Sequence, residues 1–423
     1  MSWLIPRDQL TAEQIRAVEL PPTEHRLIIG GPGSGKTQVL LHRCASLRDR
    51  FRITPARFHI FVFTNVLKRY IRSALSLLDI PESSVSTIDS WCRDYHRRHL
   101  GPERTRPATS QRFGRTDNEP DFPAIRRAVA DHVKAIRPPA LYDFVLVDEG
   151  QDLDEHVFGL LCGISKHVTV CIDQKQQIYD GGADERAILR QLGLRKRNLA
   201  LLDALRCSPY VAAVASALVE DPEEGRDLRA QTKTPVVERE TPLVYFARDF
   251  KDERRRLIEL VQIRQRRGDR VAILMPMRRQ VFGFTTALAE AGLTVETQEG
   301  ADFGSDAPKL LTYHSAKGLT FDAVLMPRLV PGSFPTMSRD RIERLLFVGV
   351  SRATKWAYFS TEENQQFAPL DKILALAKSQ QVTVQGARRQ RGPVVEALAT
   401  PTDEAATTVQ PAVGSEEDAL DIL

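Results

Sequence analysis

Short apolar runs alternate with longer segments of helical periodicity along most of the 423 residues. The runs contain few polar positions, which is typical of parallel strands that are buried on both faces of a sheet. The segments between them favour helices that would cover those faces, so the alternation predicts an α/β fold. The apolar runs are residues 27–29, 59–63, 144–147, 168–172, 243–246, 271–275, 309–312 and 323–326. Two sets of four strands predict two α/β domains that divide near residue 200.

The C-terminal end of the chain has a different composition. Residues 386–423 are rich in Ala, Thr, Pro and Glu and lack helical or strand periodicity. Such a segment cannot bury enough apolar surface to fold, and we expect a disordered tail over residues 381–423. Its last eight residues, 416–423, mix acidic and apolar side chains. They are either a solvated end or a short motif that docks on a protein partner.

The composition excludes several classes of protein. Hydrophobic residues make up 42% of the chain and charged residues 27%, as in globular proteins. No apolar run approaches the roughly 20 residues of a membrane helix, and the N-terminus lacks the features of a secretion signal. The five cysteines lie far apart without a C-x-x-C pair, which favours reduced thiols over disulfides or a zinc site. We therefore expect a cytoplasmic protein without a membrane partner.

The charge distribution gives a weak indication of a polyanionic partner. The net charge is only +4, but residues 93–115 and 251–270 are basic stretches. Each stretch is either a solvated face or a surface that contacts phosphates, and the sequence leaves both interpretations open.

Residues 30–37, with the sequence GGPGSGKT, match the phosphate-binding pattern G-x-x-x-x-G-K-[ST] and follow an apolar run. Lys36 would reach the β- and γ-phosphates of a nucleotide, and the Thr37 hydroxyl would bind Mg²⁺. The helix that begins here would point the positive end of its dipole at the same phosphates. The backbone N–H groups expected around the phosphates belong to Gly33, Ser34 and Gly35. The loop predicts a site for a nucleoside triphosphate and Mg²⁺.

A second candidate motif, which is acidic, follows the apolar run that ends at residue 147. Asp148 and Glu149 come directly after this predicted strand. Ligands of parallel sheets bind at the carboxyl ends of the strands, so these carboxylates are expected beside the phosphate-binding loop. Asp148 would hold Mg²⁺ through its water shell, and Glu149 would act as the general base on the attacking water.

These motifs, and others that follow in the same order, resemble superfamily 1 helicases of the UvrD/Rep type. The DEGQD sequence at residues 148–152 is similar to the family's D-E-x-Q-D signature. The resemblance covers residues 10–353. Besides the phosphate-binding loop and the DEGQD sequence, the matching segments are residues 10–14, 63–65, 86–92, 173–179, 205–208, 312–319 and 343–353.

The resemblance implies two tandem RecA-like domains, at residues 1–200 and 201–380, with ATP between them. Residues 93–139 would be a reduced accessory insertion in the first domain. The catalytic residues implied are Lys36, Glu149, Gln176, Arg206 and Arg352, where Gln176 would sense the γ-phosphate and the two arginines would stabilise the transferring phosphoryl group. Gln14 would read the adenine edge, and Gln38 would lie beside the base.

The family resemblance also implies contacts with single-stranded DNA, or with RNA, on the surface of both domains. The candidate contact residues are Phe63, Thr64, Asn65, Tyr179, His314 and Lys317. The chain departs from the family in that Gln38 and Leu205 replace the arginine and tyrosine that usually enclose the base. A usual stacking tryptophan is replaced by Asp180, and aromatic stacking is worth about 1–3 kcal/mol per base.

Two functions remain open at this point. The first is a nucleic-acid-stimulated ATPase that moves along single-stranded DNA, in the 3′ to 5′ direction by family analogy. The second is an ATP-driven switch or sensor in a larger assembly, such as a nuclease-containing defence or repair complex. A protein partner would bind through the basic insertion or the acidic C-terminal tail.

Overall fold

The computed structural model describes residues 4–103, 105–107, 118–173, 182–201, 207–232 and 240–386. The helices are α1 (Ala12–Glu19), α2 (Lys36–Phe51), α3 (Asn65–Leu77), α4 (Ile88–His99), α5 (Phe122–Ile136), α6 (Glu155–Ile164), α7 (Glu185–Gln191), α8 (Pro209–Leu218), α9 (Pro222–Ala230), α10 (Phe250–Arg266), α11 (Arg278–Glu290), α12 (Arg339–Val350) and α13 (Asp371–Ala375). The strands are β1 (Arg26–Gly30), β2 (Phe58–Phe61), β3 (Val85–Ser86), β4 (Thr105–Pro107), β5 (Asn118–Pro120), β6 (Tyr142–Val147), β7 (Ser165–Ile172), β8 (Leu199–Leu201), β9 (Leu243–Ala247), β10 (Val271–Met275), β11 (Glu296–Thr297), β12 (Lys309–Thr312), β13 (Phe321–Met326), β14 (Ala353–Glu362) and β15 (Thr383–Gln385).

The first sheet has six strands in the order β3-β2-β6-β7-β1-β8, and every neighbouring pair is parallel. The four runs predicted in the first half of the chain are β1, β2, β6 and β7. Ile29 of β1 lies opposite Ile172 of β7, so these two strands end at the same level. The segments that follow β1, β6 and β7 therefore meet at one edge of the sheet.

The second sheet has seven strands in the order β11-β12-β10-β13-β14-β9-β15, again with parallel neighbours. The four runs predicted in the second half of the chain are β9, β10, β12 and β13. The prediction of two parallel-sheet α/β domains is confirmed. β14 is ten residues long and lies inside the sheet, yet the sequence analysis did not single it out.

The predicted tail begins too early at residue 381. Thr383–Gln385 form the edge strand β15, where Val384 pairs with Val244 of β9. This strand is short and its side chains are exposed, so it lacks the apolar pattern by which the other strands were predicted. Residues 387–423 of the predicted tail lie outside the described residues.

Apolar packing joins the elements of the two sheets directly. One core cluster contains Leu67 and Tyr70 of α3 together with Tyr313 and Leu319 from the segment after β12. The Tyr70 ring also meets the Phe303 ring edge-on, with centroids 5.3 Å apart. Helix α3, which follows β2 of the first sheet, therefore packs against loops of the second domain.

The predicted accessory insertion, residues 93–139, is small. Among its described residues are the end of α4, the antiparallel pair β4–β5 and helix α5. Ile125, Val129 and Val133 of α5 are buried in the core of the first domain. Among the helices of the described ranges, none combines the length and the apolar character that a membrane span requires.

Candidate active site

The phosphate-binding loop connects β1 to α2. Gly33 and Gly35 have positive φ angles of 72° and 83°, which glycine adopts without the steric cost of a side chain. A Cβ atom on Gly35 would collide with the side-chain amide of Gln14. These backbone conformations end the strand at Gly30 and start helix α2 at Lys36, with five residues between them.

The Lys36 ammonium lies inside the loop. Its Nζ donates to the carbonyl oxygens of Gly30 and Gly31, both at 2.9 Å, and to Asp173 Oδ2 at 3.1 Å. Burial alone would lower the pKa of Lys36, but the nearby carboxylates, led by Asp173, outweigh it and raise the pKa. The loop therefore holds a fixed positive charge at the position expected for the β- and γ-phosphates.

Thr37 and Asp148 form a pair of hard oxygen donors beside the loop. The Thr37 hydroxyl donates to Asp148 Oδ2 at 2.6 Å. Burial and the neighbouring Glu149 carboxylate raise the pKa of Asp148 to about 6. Among the described residues no cluster of three His, Cys, Asp or Glu side chains could hold a metal. Mg²⁺ is commonly held by one or two protein oxygens and completed by phosphates and water, and Thr37 and Asp148 would supply the protein oxygens.

Glu149 is held by contacts from several directions. Its backbone has the left-handed φ of 54°, which is uncommon outside glycine. Gln151 Nε2 donates to Glu149 Oε2 at 2.6 Å, and Gln151 Oε1 accepts from the backbone N–H of Asp173 at 3.0 Å. Lys317 Nζ lies 3.7 Å from the same Oε2. Burial alone would raise the pKa of Glu149, but Lys317 and Lys36 outweigh it and lower the pKa, which keeps the carboxylate ionised.

A cavity of about 280 Å³ separates the loop from residues of the second sheet. Lys36, Thr37 and Glu149 line one side, and Ser351 and Arg352 line the other. The Arg352 guanidinium donates to the carbonyl oxygens of Val348 at 3.0 Å and Leu319 at 3.4 Å. Burial lowers the pKa of Arg352. The geometry gathers a loop cation, the Glu149 carboxylate and a guanidinium around one cavity, and Asp148 contacts the Thr37 hydroxyl that also lines it.

Two family models match the chain on either side of this cavity. The UvrD/REP helicase N-terminal domain matches residues 10–119, and the UvrD-like helicase C-terminal domain matches residues 284–364. Both halves of the chain are therefore similar to UvrD/Rep-like helicases of superfamily 1. The members of this family are ATP-hydrolysing enzymes, and the resemblance stated from the motifs is confirmed.

One curated relative is a provisionally named ATP-dependent DNA helicase of Acanthamoeba polyphaga mimivirus. It is 23% identical over an alignment of 404 positions. The match covers 84% of this chain and 54% of the relative. The chain therefore spans about half the length of the curated relative it matches. The crystal structure of the C-terminal domain of a possible DNA helicase from Lactobacillus plantarum is 16% identical, with a TM-score of 0.34. That match covers 43% of this chain and 98% of the solved domain.

The residues expected near adenine make contacts within the protein itself. Gln14 Nε2 donates to the carbonyl of Ser34 at 2.9 Å, and Gln14 Oε1 accepts from the backbone N–H of Thr11 at 3.0 Å. Gln38 Oε1 accepts from the backbone N–H of Ile5 at 3.1 Å. Gln14 and Gln38 nevertheless line the cavity, as does Ile5, and the contacts with the base predicted for the two glutamines stay predictions.

The residues expected to contact nucleic acid do not share one environment. Asn65 is exposed, whereas Phe63 is half-buried and Thr64 accepts from the backbone N–H of Leu67 at 3.0 Å as the N-cap of α3. His314 is half-buried, and burial lowers its pKa to about 4. The Lys317 side chain is buried completely. In this structure it faces carboxylates rather than the surface, so the role predicted for it does not fit its position.

Three predicted residues, Gln176, Tyr179 and Arg206, lie outside the described residues. Conversely, the sequence analysis overlooked the contributions of Gln151, Asp152 and Asp173 to the site. Asp173 directly follows β7, the neighbour of β1 in the sheet. The rule that located Asp148 at the carboxyl end of a strand also applies to Asp173 and could have identified it.

Proposed function

We propose that this chain hydrolyses ATP in the cavity between the two sheets and uses the reaction to move along single-stranded DNA. The main support is the arrangement of Lys36, Thr37, Asp148 and Glu149 at the edge of the first sheet, opposite Arg352 of the second domain. The proposal covers this chain, which is shorter than the helicase it matches.

Each residue at the cavity would have a separate role in phosphoryl transfer. Lys36 would exchange its carbonyl partners for the β- and γ-phosphate oxygens. Thr37 and Asp148 would hold Mg²⁺, which when bound neutralises charge on those oxygens. Glu149 would orient the attacking water and accept its proton. Arg352 would leave the carbonyl of Leu319 and donate to the transferring phosphoryl group.

Arg352 comes from the second sheet, so hydrolysis would require the two halves of the chain to be close together. ATP binding and product release would then change the distance between the two sheets. Such a cycle moves a strand that contacts both halves. We propose a 3′ to 5′ direction by family analogy, with Arg206 as a second phosphate contact and Gln176 as the γ-phosphate sensor.

The choice of single-stranded DNA over RNA is supported by the name of the mimivirus relative, an ATP-dependent DNA helicase. Asn65 lies exposed at the start of α3, where a strand could reach it. We propose a cytoplasmic location because all five cysteines are free thiols.

Steady-state ATP hydrolysis by the purified chain tests this proposal. The rate is measured without nucleic acid, with a single-stranded DNA and with a single-stranded RNA of the same sequence, beside Glu149→Gln. We expect stimulation by DNA and a loss of about 10²–10⁴-fold in Glu149→Gln, the usual contribution of a general base. A Glu149→Gln variant that hydrolyses ATP at the wild-type rate would refute the assignment.

The second candidate function is an ATP-driven switch or sensor within a larger assembly, without unwinding activity of its own. The described part of the accessory insertion favours it, because it contains only a short strand pair and α5 between α4 and β6. An ATPase rate that ignores both nucleic acids would favour this function. A protein partner, bound through the basic insertion or the acidic tail, would then be expected to stimulate the rate.

A further inference from the structure

Lys317 connects the second sheet to the acidic turn that carries Glu149. It lies in the segment after β12, and its side chain enters the first domain. There Nζ contacts the Asp152 carboxylate in a hydrogen-bonded ion pair and lies 3.7 Å from Glu149 Oε2. Nζ is also 5.6 Å from the centre of the Phe63 ring. The side chains of Lys317 and Asp152 are both 0% exposed.

We propose that Lys317 is a positioning residue that makes the alignment of Glu149 depend on the contact between the two domains. The inference rests on the proposed function, in which Glu149 acts on the attacking water. Two residues of the second domain would then act at the cavity in different ways. Arg352 would contact the nucleotide, whereas Lys317 contacts the Glu149 carboxylate of the first domain.

The contacts around Glu149 explain why its position needs support. Its left-handed backbone is sparsely populated for residues other than glycine and persists only where the surroundings maintain it. Gln151 and Lys317 both approach Oε2, so they fix the carboxylate through one oxygen. Oε1 would then be the oxygen that accepts the proton of the attacking water. Lys317 also holds Asp152, which ends the same turn, Gly150–Asp152.

Burial strengthens the interaction of Lys317 with the two carboxylates, and this interaction requires the two domains to be in contact. An ion pair inside the protein is weakly screened by solvent, and removal of one partner leaves an uncompensated buried charge. Lys317 belongs to the second domain, whereas Asp152 and Glu149 follow β6 of the first. Separation of the two domains would therefore withdraw the ammonium from both carboxylates at once, and Glu149 would lose one of the contacts that orient it.

The test compares Lys317→Met, which keeps the length of the side chain but removes its charge, with Lys317→Arg, which keeps the charge. Lys378→Met is the matched control, because Lys378 is an exposed lysine of the same half of the chain. For Lys317→Met we expect kcat to fall about 100-fold, the usual effect of a displacement near 1 Å at a reacting group. We expect the KM for ATP, and the Kd for a fluorescent ATP analogue, to change less than about threefold. Lys317→Arg should recover at least a tenth of the wild-type kcat.

A second measurement separates positioning from folding. Lys317→Met leaves Asp152 buried without its partner, so thermal unfolding is measured for Lys317→Met, Asp152→Asn and the double variant. Non-additive Tm changes would support the ion pair, and the double variant should regain Tm without regaining kcat. Additive Tm changes, a kcat equal to that of Lys378→Met, or equal losses in kcat and ATP binding would overturn the inference. A wild-type chain that hydrolyses no ATP would overturn the proposed function, while the Tm cycle would still test the contact.

Discussion

The substitution Arg43→Met should destabilise the fold around the nucleotide site. Arg43 lies on α2, one turn beyond Gln38, and is fully buried. Its guanidinium donates to the carbonyl oxygens of Ala17, Val18 and Leu20 at 3.3, 3.1 and 2.6 Å, which ties the end of α1 to α2. Burial lowers the pKa of Arg43 to about 10, so the group is charged at neutral pH.

The magnitude follows from the groups that would lose this donor. A buried carbonyl without a partner costs about 1–3 kcal/mol, and Nη1 has two hydrogens for these three acceptors, so their loss would cost at least about 2 kcal/mol. Two further contacts, from Nε to the Thr169 hydroxyl at 2.9 Å and between Nη2 and His167 Nε2 at 3.2 Å, would also be lost. Removal of a buried charge offsets part of this cost. We therefore expect the free energy of unfolding to fall by about 3 kcal/mol, a large part of the 5–15 kcal/mol typical of native proteins.

Urea unfolding followed by circular dichroism measures the effect, with Arg50→Met as the control. Arg50 lies on the same helix but is exposed, so its replacement should change the free energy of unfolding by less than about 0.5 kcal/mol. α1 also carries Gln14, which contacts the phosphate-binding loop, so Arg43→Met should weaken ATP binding in the folded protein as well. Equal urea midpoints for the two variants would show that the buried guanidinium does not hold α1 in place.

Three other predictions concern the site and its surroundings. Lys36→Met should abolish tight binding of a fluorescent ATP analogue, because the loop loses its fixed charge; retained affinity would contradict the loop assignment. Arg352→Ala should lower kcat far more than ATP affinity, since the guanidinium is expected to act on the transferring phosphoryl group, and equal losses would contradict this role. Burial and Arg43 lower the pKa of His167 to about 3, below its value of 6.5 in the unfolded chain. The free energy of unfolding that His167 contributes above pH 6.5 is therefore lost as the pH falls towards 3. At pH 5 the loss is about 2 kcal/mol. His167→Gln should reduce that loss, as measured by urea unfolding at pH 7.5 and 5.0.

The sequence predicted the fold well because parallel strands are buried on both faces. Runs such as residues 144–147 and 271–275 are continuous and apolar, and each became a strand. The strands that were missed lack this signal for different reasons. β3 and β11 have two residues each, and β15 is exposed. β14 follows α12 with only two residues between them, so no loop sequence marked its start.

The parts of the site that were predicted from sequence are those that depend on local geometry. The loop of residues 30–37 and the pair Asp148–Glu149 act through backbone conformation and strand ends, which short motifs encode. The contact of Lys317 with Asp152 joins positions 165 residues apart, and the family resemblance suggested a different partner for this lysine. Arg43 was missed for the same reason, because nothing near it in the sequence shows that its partners lie on α1 and β7.

The charges around the cavity give a physical reason for the proposed coupling of hydrolysis to domain contact. The first domain places four buried carboxylates at its strand ends: Asp148, Glu149, Asp152 and Asp173. Its own cation there is Lys36, so among the described residues of this edge the first domain alone has an excess of negative charge. The second domain supplies Lys317 and Arg352, and electrostatic interactions with both influence Glu149. Close contact between the domains thus stabilises the carboxylates that the reaction uses, and opening would leave them repelling one another and the phosphates of ATP. Lys317 and Arg352 would therefore favour ATP binding only when the two domains are close together. A ligand that binds one arrangement better than the other shifts the protein towards it, so ATP binding could drive the movement of the domains.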